Sequence, residues 1–413
     1  MPEMRHRWLA GRFGRGIGVS IACCASAFLV GAALAAASPI PTPVATPEPA
    51  ASAPVRTLQP PAGSPFDEVV GGARLAVSGE PILPDGVAPP NPVDAKAWLV
   101  ADLTSGRVLG ALNPHQRRPP ASTIKLLTAL ALLPEVAADA TYTVTDADIT
   151  VEGSRVGLVP GQRYTREALA HGLLLASGND AANALAQLSG GRPRALNLMA
   201  GEAKRLGAFD TTATTTHGLD DPRQRTSAYD LALIARAFLD NKELAAVART
   251  RTYDFPGLDA KTFQIQNHNR LLGSYAGALG LKTGFTTLSG HTVVAAANRD
   301  GVELVAVVLG AKGRAEPVSS ALLDWGYSLP RDATPIGRLE TPAEVAAAMQ
   351  VADSTPSPPA AIGREQDATT SPAQPAASVP VWAWSALVAA GVAVAAVTTR
   401  RRRKPAGRWA DHR

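Results

Sequence analysis

Pro119-Pro120-Ala121-Ser122-Thr123-Ile124-Lys125, followed by the almost wholly apolar run Leu126 to Leu133, is the stretch around which this 413-residue chain is arranged. Two prolines stop an incoming segment, and the run beyond them has the length and the helix formers of a short buried helix. Ser122 and Lys125 are three apart, which on a helix sets their Cβ atoms about 5–6 Å apart on one face, so the amine reaches the hydroxyl. A serine hydroxyl is a weak nucleophile unless a neighbouring base takes its proton. A lysine is that base only when burial or a second cation lowers its pKa. Ser122 as a helix cap and Lys125 as a solvated first-turn lysine fit the same spacing, so the pair needs support from elsewhere in the chain.

Before the stretch, Ala97 to Asp102, a turn at Thr104-Ser105-Gly106 and Arg107 to Ala111 predict a β-hairpin that presents the serine. After it, Tyr142 to Thr150 alternates weakly as a short strand, and Gly157 to Gly161 makes a loop. Two apolar helices follow, Thr165 to Ala176 and Ala181 to Leu188, separated by Ser177-Gly178-Asn179-Asp180. Such a corner can hold a hydroxyl and an amide at a cleft, or it can be an ordinary helix end with Gly as C-cap and Asn or Asp as N-cap. Helices at 195–205 and 226–240 flank His217-Gly218-Leu219-Asp220; His217 reads as a structural loop histidine, because no carboxylate is placed to orient it. Lys282-Thr283-Gly284 then precedes strands at His291 to Ala297 and Val302 to Leu309, and Arg314 to Ser328 closes the unit as a helix. Gly284 would let a substrate backbone lie close to the sheet edge, with Lys282 and Thr283 offering a cation and a hydroxyl to an anion. The order predicts an α+β fold over residues 92–328, with an antiparallel sheet whose terminal strands pair and helices that cover it.

The ends of the chain have other textures. Residues 1–37 read as a secretory signal, with an uncleaved N-terminal anchor as the alternative: Arg5, Arg7, Arg12 and Arg15 precede the apolar run Ile17 to Ala36. Both cysteines, Cys23 and Cys24, lie inside it, which excludes disulfides and a thiol nucleophile from the mature chain. Residues 38–91 form a Pro/Ala-rich linker and irregular lead-in, and 329–380 a second linker rich in Pro, Ala and Ser. Residues 381–399 carry no charge and precede a basic tail at 400–413, the pattern of a membrane helix with a stop-transfer block; a cell-surface sorting signal is the alternative, but no L-P-x-T-G-like element precedes the run. Of the net charge of +5, residues 1–37 contribute +3 and 400–413 contribute +6, leaving −4 on 38–399. The basicity follows membrane topology and argues against a nucleic-acid partner.

The chain holds S-x-x-K, S-x-N and K-T-G in that order, each at an element boundary. In these it resembles the penicillin-recognising serine transpeptidase and β-lactamase superfamily, and within it the low-molecular-mass D-alanyl-D-alanine carboxypeptidases. Pro120 to Lys125, Ser177 to Ala182, His217 to Asp220 and Lys282 to Thr286 carry the likeness. The resemblance implies a β-lactamase/transpeptidase-like fold with an all-helical subdomain, and a membrane-anchored carboxypeptidase that trims peptidoglycan stem pentapeptides and is inhibited by β-lactams. It implies no cofactor and no metal. Ser122 would be the acylated nucleophile and Lys125 its base; Ser177 would relay a proton, Asn179 would hold Lys125 and the substrate, and Lys282 would keep Lys125 neutral. Thr283, with Lys282, would bind the terminal carboxylate beside Gly284, and the N–H groups of Ser122 and Phe285 would form the oxyanion hole. The second motif reads S-G-N rather than S-D-N, and no counterpart of the class A β-lactamase deacylating glutamate is evident; both favour a peptidase. A β-lactamase, an endopeptidase or a non-catalytic wall-sensing module are the alternatives.

Overall fold

Trp98 to Ala101 and Leu304 to Leu309 are apolar without a break, the pattern of strands covered on both faces. In the computed structural model, which describes residues 56–354, both lie at the centre of the main sheet. Two short strands, β1 (Arg56–Thr57) and β2 (Val77–Ser78), pair in the lead-in, and β3 (Pro81–Ile82) precedes the hairpin of β4 (Ala97–Asp102) and β5 (Arg107–Leu112). A 3-10 turn, Ala121–Ile124, runs into α1 (Lys125–Leu132). A mostly helical stretch follows: β6 (Thr141–Thr143), α2 (Asp146–Ile149), β7 (Arg163–Thr165), α3 (Arg166–Leu174), α4 (Asn179–Leu188), α5 (Arg192–Leu206), α6 (Ala228–Asp240) and α7 (Lys242–Arg249). A hairpin of β8 (Thr252–Pro256) and β9 (Thr262–Gln266) leads through α8 (Leu271–Ser274) to the long strands β10 (Ala278–Thr286), β11 (Gly290–Arg299) and β12 (Val302–Ala311). The described chain ends with α9 (Ala315–Ser328), β13 (Gly337–Arg338) and α10 (Pro342–Ser354).

The main sheet is antiparallel, in the order β10-β11-β12-β4-β5-β13, with β3 also paired to β5. Its early and late strands meet as the sequence predicts: β12 lies beside β4 in a register running from Leu304↔Asp102 to Leu309↔Ala97. Because successive side chains alternate between faces, Trp98, Val100, Val293, Ala295, Leu304, Ala306 and Val308 pack on one side with Leu322 and Leu323 of α9. Leu99, Ala101, Val294, Ala296, Val305 and Val307 pack on the other, against α1 and α6. Every residue of α1 is buried, which accounts for its nearly unbroken apolar sequence. The helices are capped as their sequences suggest: Thr165 Oγ1 accepts from Ala168 N–H at 3.1 Å, Ser227 Oγ from Asp230 N–H at 3.1 Å, and Asn241 Oδ1 from Glu243 N–H at 3.1 Å.

The structure differs from the sequence reading in several places: α7, β8, β9 and β10 were not read from the sequence, and β13 and α10 fall in the stretch read as the second linker. Tyr142 to Thr150 is a strand only at Thr141–Thr143, after which the Thr145 and Asp148 side chains form a capping box that starts α2. The second helix of the polar corner begins at Asn179 rather than Ala181. The described elements also run beyond 92–328 at both ends. Val69, Val70 and Leu75 of the lead-in are buried in the core, and Ile336 and Leu339 join them from the other end. The two ends are tied to each other, with Arg338 N–H donating to the Gly71 carbonyl at 3.0 Å. The expected signal segment 1–37, the apolar segment 381–399 and the tail 400–413 lie outside the described residues. Among the described residues, no helix is long and apolar enough to cross a membrane.

Candidate active site

Ser122 sits where the chain turns from sheet to helix. Ala121, before it, has φ +48°, a left-handed conformation that a non-glycine residue adopts only when its surroundings hold it there. The surroundings do so. The Pro120 carbonyl accepts from Thr123 Oγ1 at 2.6 Å and, across the sheet, from Thr292 Oγ1 at 3.2 Å. Gly218, at φ +94°, lies so near that a Cβ there would come within 2.0 Å of the Ala121 carbonyl oxygen. On the other side, a Cβ on Gly284 would fall 2.7 Å from the Ser122 nitrogen. Only glycine at both positions lets the His217 loop and the edge strand β10 close on the serine turn.

Lys125, the first residue of α1, is fully buried. Its Nζ lies 3.0 Å from Ser122 Oγ, 2.7 Å from Asn179 Oδ1 and 2.6 Å from the His217 carbonyl oxygen. Burial, reinforced by the nearby charge of Lys282, pulls its pKa well below the ordinary lysine range, against an opposing pull from Asp180. A neutral amine has two N–H donors and one lone pair. The two oxygens that can only accept, Asn179 Oδ1 and the His217 carbonyl, take the donors. The lone pair is left for the Ser122 hydroxyl, and that is the geometry of a general base.

Asn179 is itself held: its Nδ2 donates to the Glu152 carbonyl at 2.7 Å, and its backbone N–H to the Ser154 carbonyl at 2.8 Å. The Asp180 carboxylate, buried beside it, accepts from the N–H groups of Val156, Gly157 and Leu158 at 2.9–3.1 Å. The S-G-N-D corner therefore fixes the 152–158 loop as well as the lysine. Ser177, in the same corner, has φ +58° and faces the cleft. Lys282 of β10 is buried; burial lowers its pKa to about 7, and its Nζ donates to the Thr283 carbonyl at 2.8 Å. Thr286 Oγ1 donates to Asp220 Oδ1 at 2.7 Å, joining the K-T-G strand to the His217 loop.

A cleft of about 650 Å³ runs past Ser122, Ser154, Ser177, Thr283, Gly284 and Phe285, and on to His268, Arg270, His291, Arg314 and Glu316. Ser122, Ser177, Thr283, Gly284 and Phe285 thus line one opening, while Lys125 and Asn179 lie buried behind Ser122 and Lys282 lies buried on β10. His217 makes no hydrogen bond to Ser122 or Lys125 through its ring. Its carbonyl, not its ring, meets Lys125, and burial with the nearby charges of Lys125 and Arg192 lowers the ring to about 4. Sequence reasoning missed His268, whose N–H donates to the Leu175 carbonyl at 3.0 Å and whose pKa is lowered by burial and by Lys282, Arg270 and Lys125. It missed Asp180 as the residue that holds the 152–158 loop. Among the described residues, no group of His, Cys, Asp and Glu is placed to hold a metal ion.

The buried lysines have a measurable consequence. Between Lys282's folded pKa of about 7 and the unfolded lysine value of about 10.4, the unfolded chain holds a proton that the folded chain has released. Lys125 acts in the same direction. Unfolding free energy is therefore expected to rise with pH from about 7 to about 9.5, and Lys282→Met is expected to flatten that slope. Urea denaturation at fixed pH values checks it; a flat or falling profile for the unaltered protein would count against neutral buried lysines.

A family model described as D-alanyl-D-alanine carboxypeptidase matches residues 85–313. The D-alanyl-D-alanine carboxypeptidase DacB2 of Mycobacterium tuberculosis is 39% identical over 264 residues, which are 62% of this chain and 88% of that protein. DacC of Escherichia coli is 37% identical over 260 residues, 59% of this chain and 64% of that protein. The chain thus spans most of the mycobacterial relative and under two thirds of the Escherichia coli one. A crystal structure of a D-alanyl-D-alanine carboxypeptidase from Mycobacterium tuberculosis superposes with a TM-score of 0.60 at 39% identity, covering 62% of this chain and all of that one. The Streptomyces K15 DD-transpeptidase does so at 0.56 with 26% identity, covering 59% of this chain and all of that one.

Proposed function

The chain belongs to the D-alanyl-D-alanine carboxypeptidase family, and on that premise we propose that it removes the terminal D-alanine from peptidoglycan stem pentapeptides through an acyl-enzyme on Ser122. The observation that carries the proposal is the buried Lys125 amine, 3.0 Å from Ser122 Oγ with its other two contacts on carbonyl oxygens. Lys125 takes the Ser122 proton as Oγ bonds to the carbonyl carbon between the two D-alanines. The N–H groups of Ser122 and Phe285 stabilise the oxyanion. The C–N bond then breaks as the proton taken up by Lys125 is relayed through Ser177 to the departing amine, which leaves Lys125 neutral again. Water attacks the ester and gives its proton to Lys125, which returns it to Ser122 Oγ as the ester C–O bond breaks and the shortened peptide leaves.

Lys282 and Thr283 seat the terminal carboxylate; that carboxylate holds Lys282 in its charged form when substrate is bound, and the charge of Lys282 keeps Lys125 neutral. A β-lactam, which presents a cyclic amide and a carboxylate at similar spacing, acylates the same serine. Residues 1–37 direct export, and 381–399 hold the catalytic unit at the outer face of the membrane. Incubating the full chain with a stem pentapeptide and measuring free D-alanine tests the reading. Stoichiometric release with the tetrapeptide as co-product supports it. Preferential cleavage of cross-linked dimers, or fast turnover of a chromogenic cephalosporin, would replace it with an endopeptidase or a β-lactamase.

A further inference from the structure

Residues 38–399 carry a net charge of −4, so a basic side chain in this part of the chain has acids in excess to pair with. Arg118 takes none. It stands four residues before Ser122, half-buried, with its backbone N–H and carbonyl bonded to Thr226 at 2.7 and 2.9 Å. Its Nε is buried, and among the described residues neither that atom nor the rest of the guanidinium has a hydrogen-bond or ion-pair partner. A buried donor left without an acceptor is a standing cost to the fold.

Two more cations share the place. Burial, and the charge of Arg225 beside Thr226, lower the pKa of Arg118. The Arg225 guanidinium is held by the carbonyls of Asp221 and Gln224 at 3.1 and 2.7 Å, acceptors that fix it without neutralising it. On the other side, Gly310, at φ +71°, stands between Arg118 and Lys96: a Cβ there would fall 3.2 Å from Arg118 Nη2 and 2.8 Å from Lys96 Cγ. Glycine therefore keeps the space between the two side chains open. Asp94, two residues before Lys96, is paired with Lys312 at 3.3 Å. Lys96, Arg118 and Arg225 do not line the catalytic cleft.

Three like charges gathered without a carboxylate repel one another, and an anion placed among them replaces that repulsion with attraction. The planar fork of an arginine grips two oxygens of one tetrahedral anion, while a lysine adds a point charge. Three cations also favour an anion with two charges over one with a single charge. We infer that Lys96, Arg118 and Arg225 form an anion site, beside the Ser122 turn and separate from the cleft, that takes a phosphate dianion, either free or as the terminal phosphate of a monoester.

The test is thermal unfolding of the full chain at about pH 8, where phosphate is a dianion, titrated with inorganic phosphate against sodium chloride and sodium acetate of matched ionic strength. A rise in unfolding temperature that saturates with phosphate, and that neither chloride nor acetate produces, is expected. Arg118→Met is expected to weaken the apparent affinity by at least about tenfold, and Lys96→Gln, at an exposed position, by about threefold. The lysine variant carries the test should Arg118→Met fail to fold. Glycerol 3-phosphate separates the two sources: binding as tight as that of phosphate assigns the site to a monoester terminus, and no binding assigns it to free phosphate. No saturating rise with phosphate, a rise that acetate matches, or one that Lys96→Gln leaves at full affinity overturns the site.

Discussion

Ser122→Ala is expected to lower D-alanine release from a stem pentapeptide by about 10⁵-fold, and to abolish labelling by a fluorescent penicillin. In the proposed mechanism the hydroxyl oxygen forms the ester, and no neighbouring group replaces it. Ser177 lies in the same cleft, but its hydroxyl makes no direct hydrogen bond to Lys125: the amine's contacts are Ser122, Asn179 and His217. The substitution removes a half-buried side chain whose hydroxyl makes one hydrogen bond, with Lys125, so the fold is expected to lose no more than about 1 kcal/mol. Unchanged thermal unfolding with no label would assign the loss to chemistry. A variant that still takes the label would place the nucleophile elsewhere.

The second large effect is expected at Lys125. Lys125→Met keeps the length of the side chain and removes the lone pair that faces Ser122 Oγ. Both acylation by penicillin and release of D-alanine are expected to fall by about 10³–10⁴-fold. Lys125→Arg is not expected to rescue either rate, because a guanidinium does not give up its proton near neutral pH. The substitution also leaves Asn179 Oδ1 and the His217 carbonyl without their shared donor, at about 1–3 kcal/mol, so circular dichroism must accompany the kinetics. A folded Lys125→Met enzyme within tenfold of the unaltered rate would point to another base.

The strands β4, β5, β11 and β12 and the residues that gather at the cleft were legible because their signals are local. The hairpin at Trp98, the paired strands at Val294 and Val305, and the three short motifs each declare themselves within a dozen residues. The edges of the sheet were not legible. β3 and β13 have two residues each and find their partner, β5, across long stretches of chain, too short a run for any periodicity to register. The Pro-rich lead-in read as linker because its composition is that of one, yet Val69, Val70 and Leu75 bury their side chains against residues from the far end of the chain. His268 and Asp180 were missed for a related reason. A histidine between two asparagines and an aspartate in a helix's first turn carry no mark in sequence, and only the packing of α3 and β10 and of the 152–158 loop gives them work. His217 is the reverse case: the sequence marked the right loop, and the backbone carbonyl rather than the ring is what meets Lys125.

The measurement closest to the centre of this mechanism is the mass of the protein after exposure to benzylpenicillin, followed by peptide mapping of the adduct. One penicilloyl group per chain, on the peptide containing Ser122 and absent from Ser122→Ala, is the expected result. An adduct on Ser177, or none at all in a protein that still releases D-alanine, would contradict acylation at Ser122.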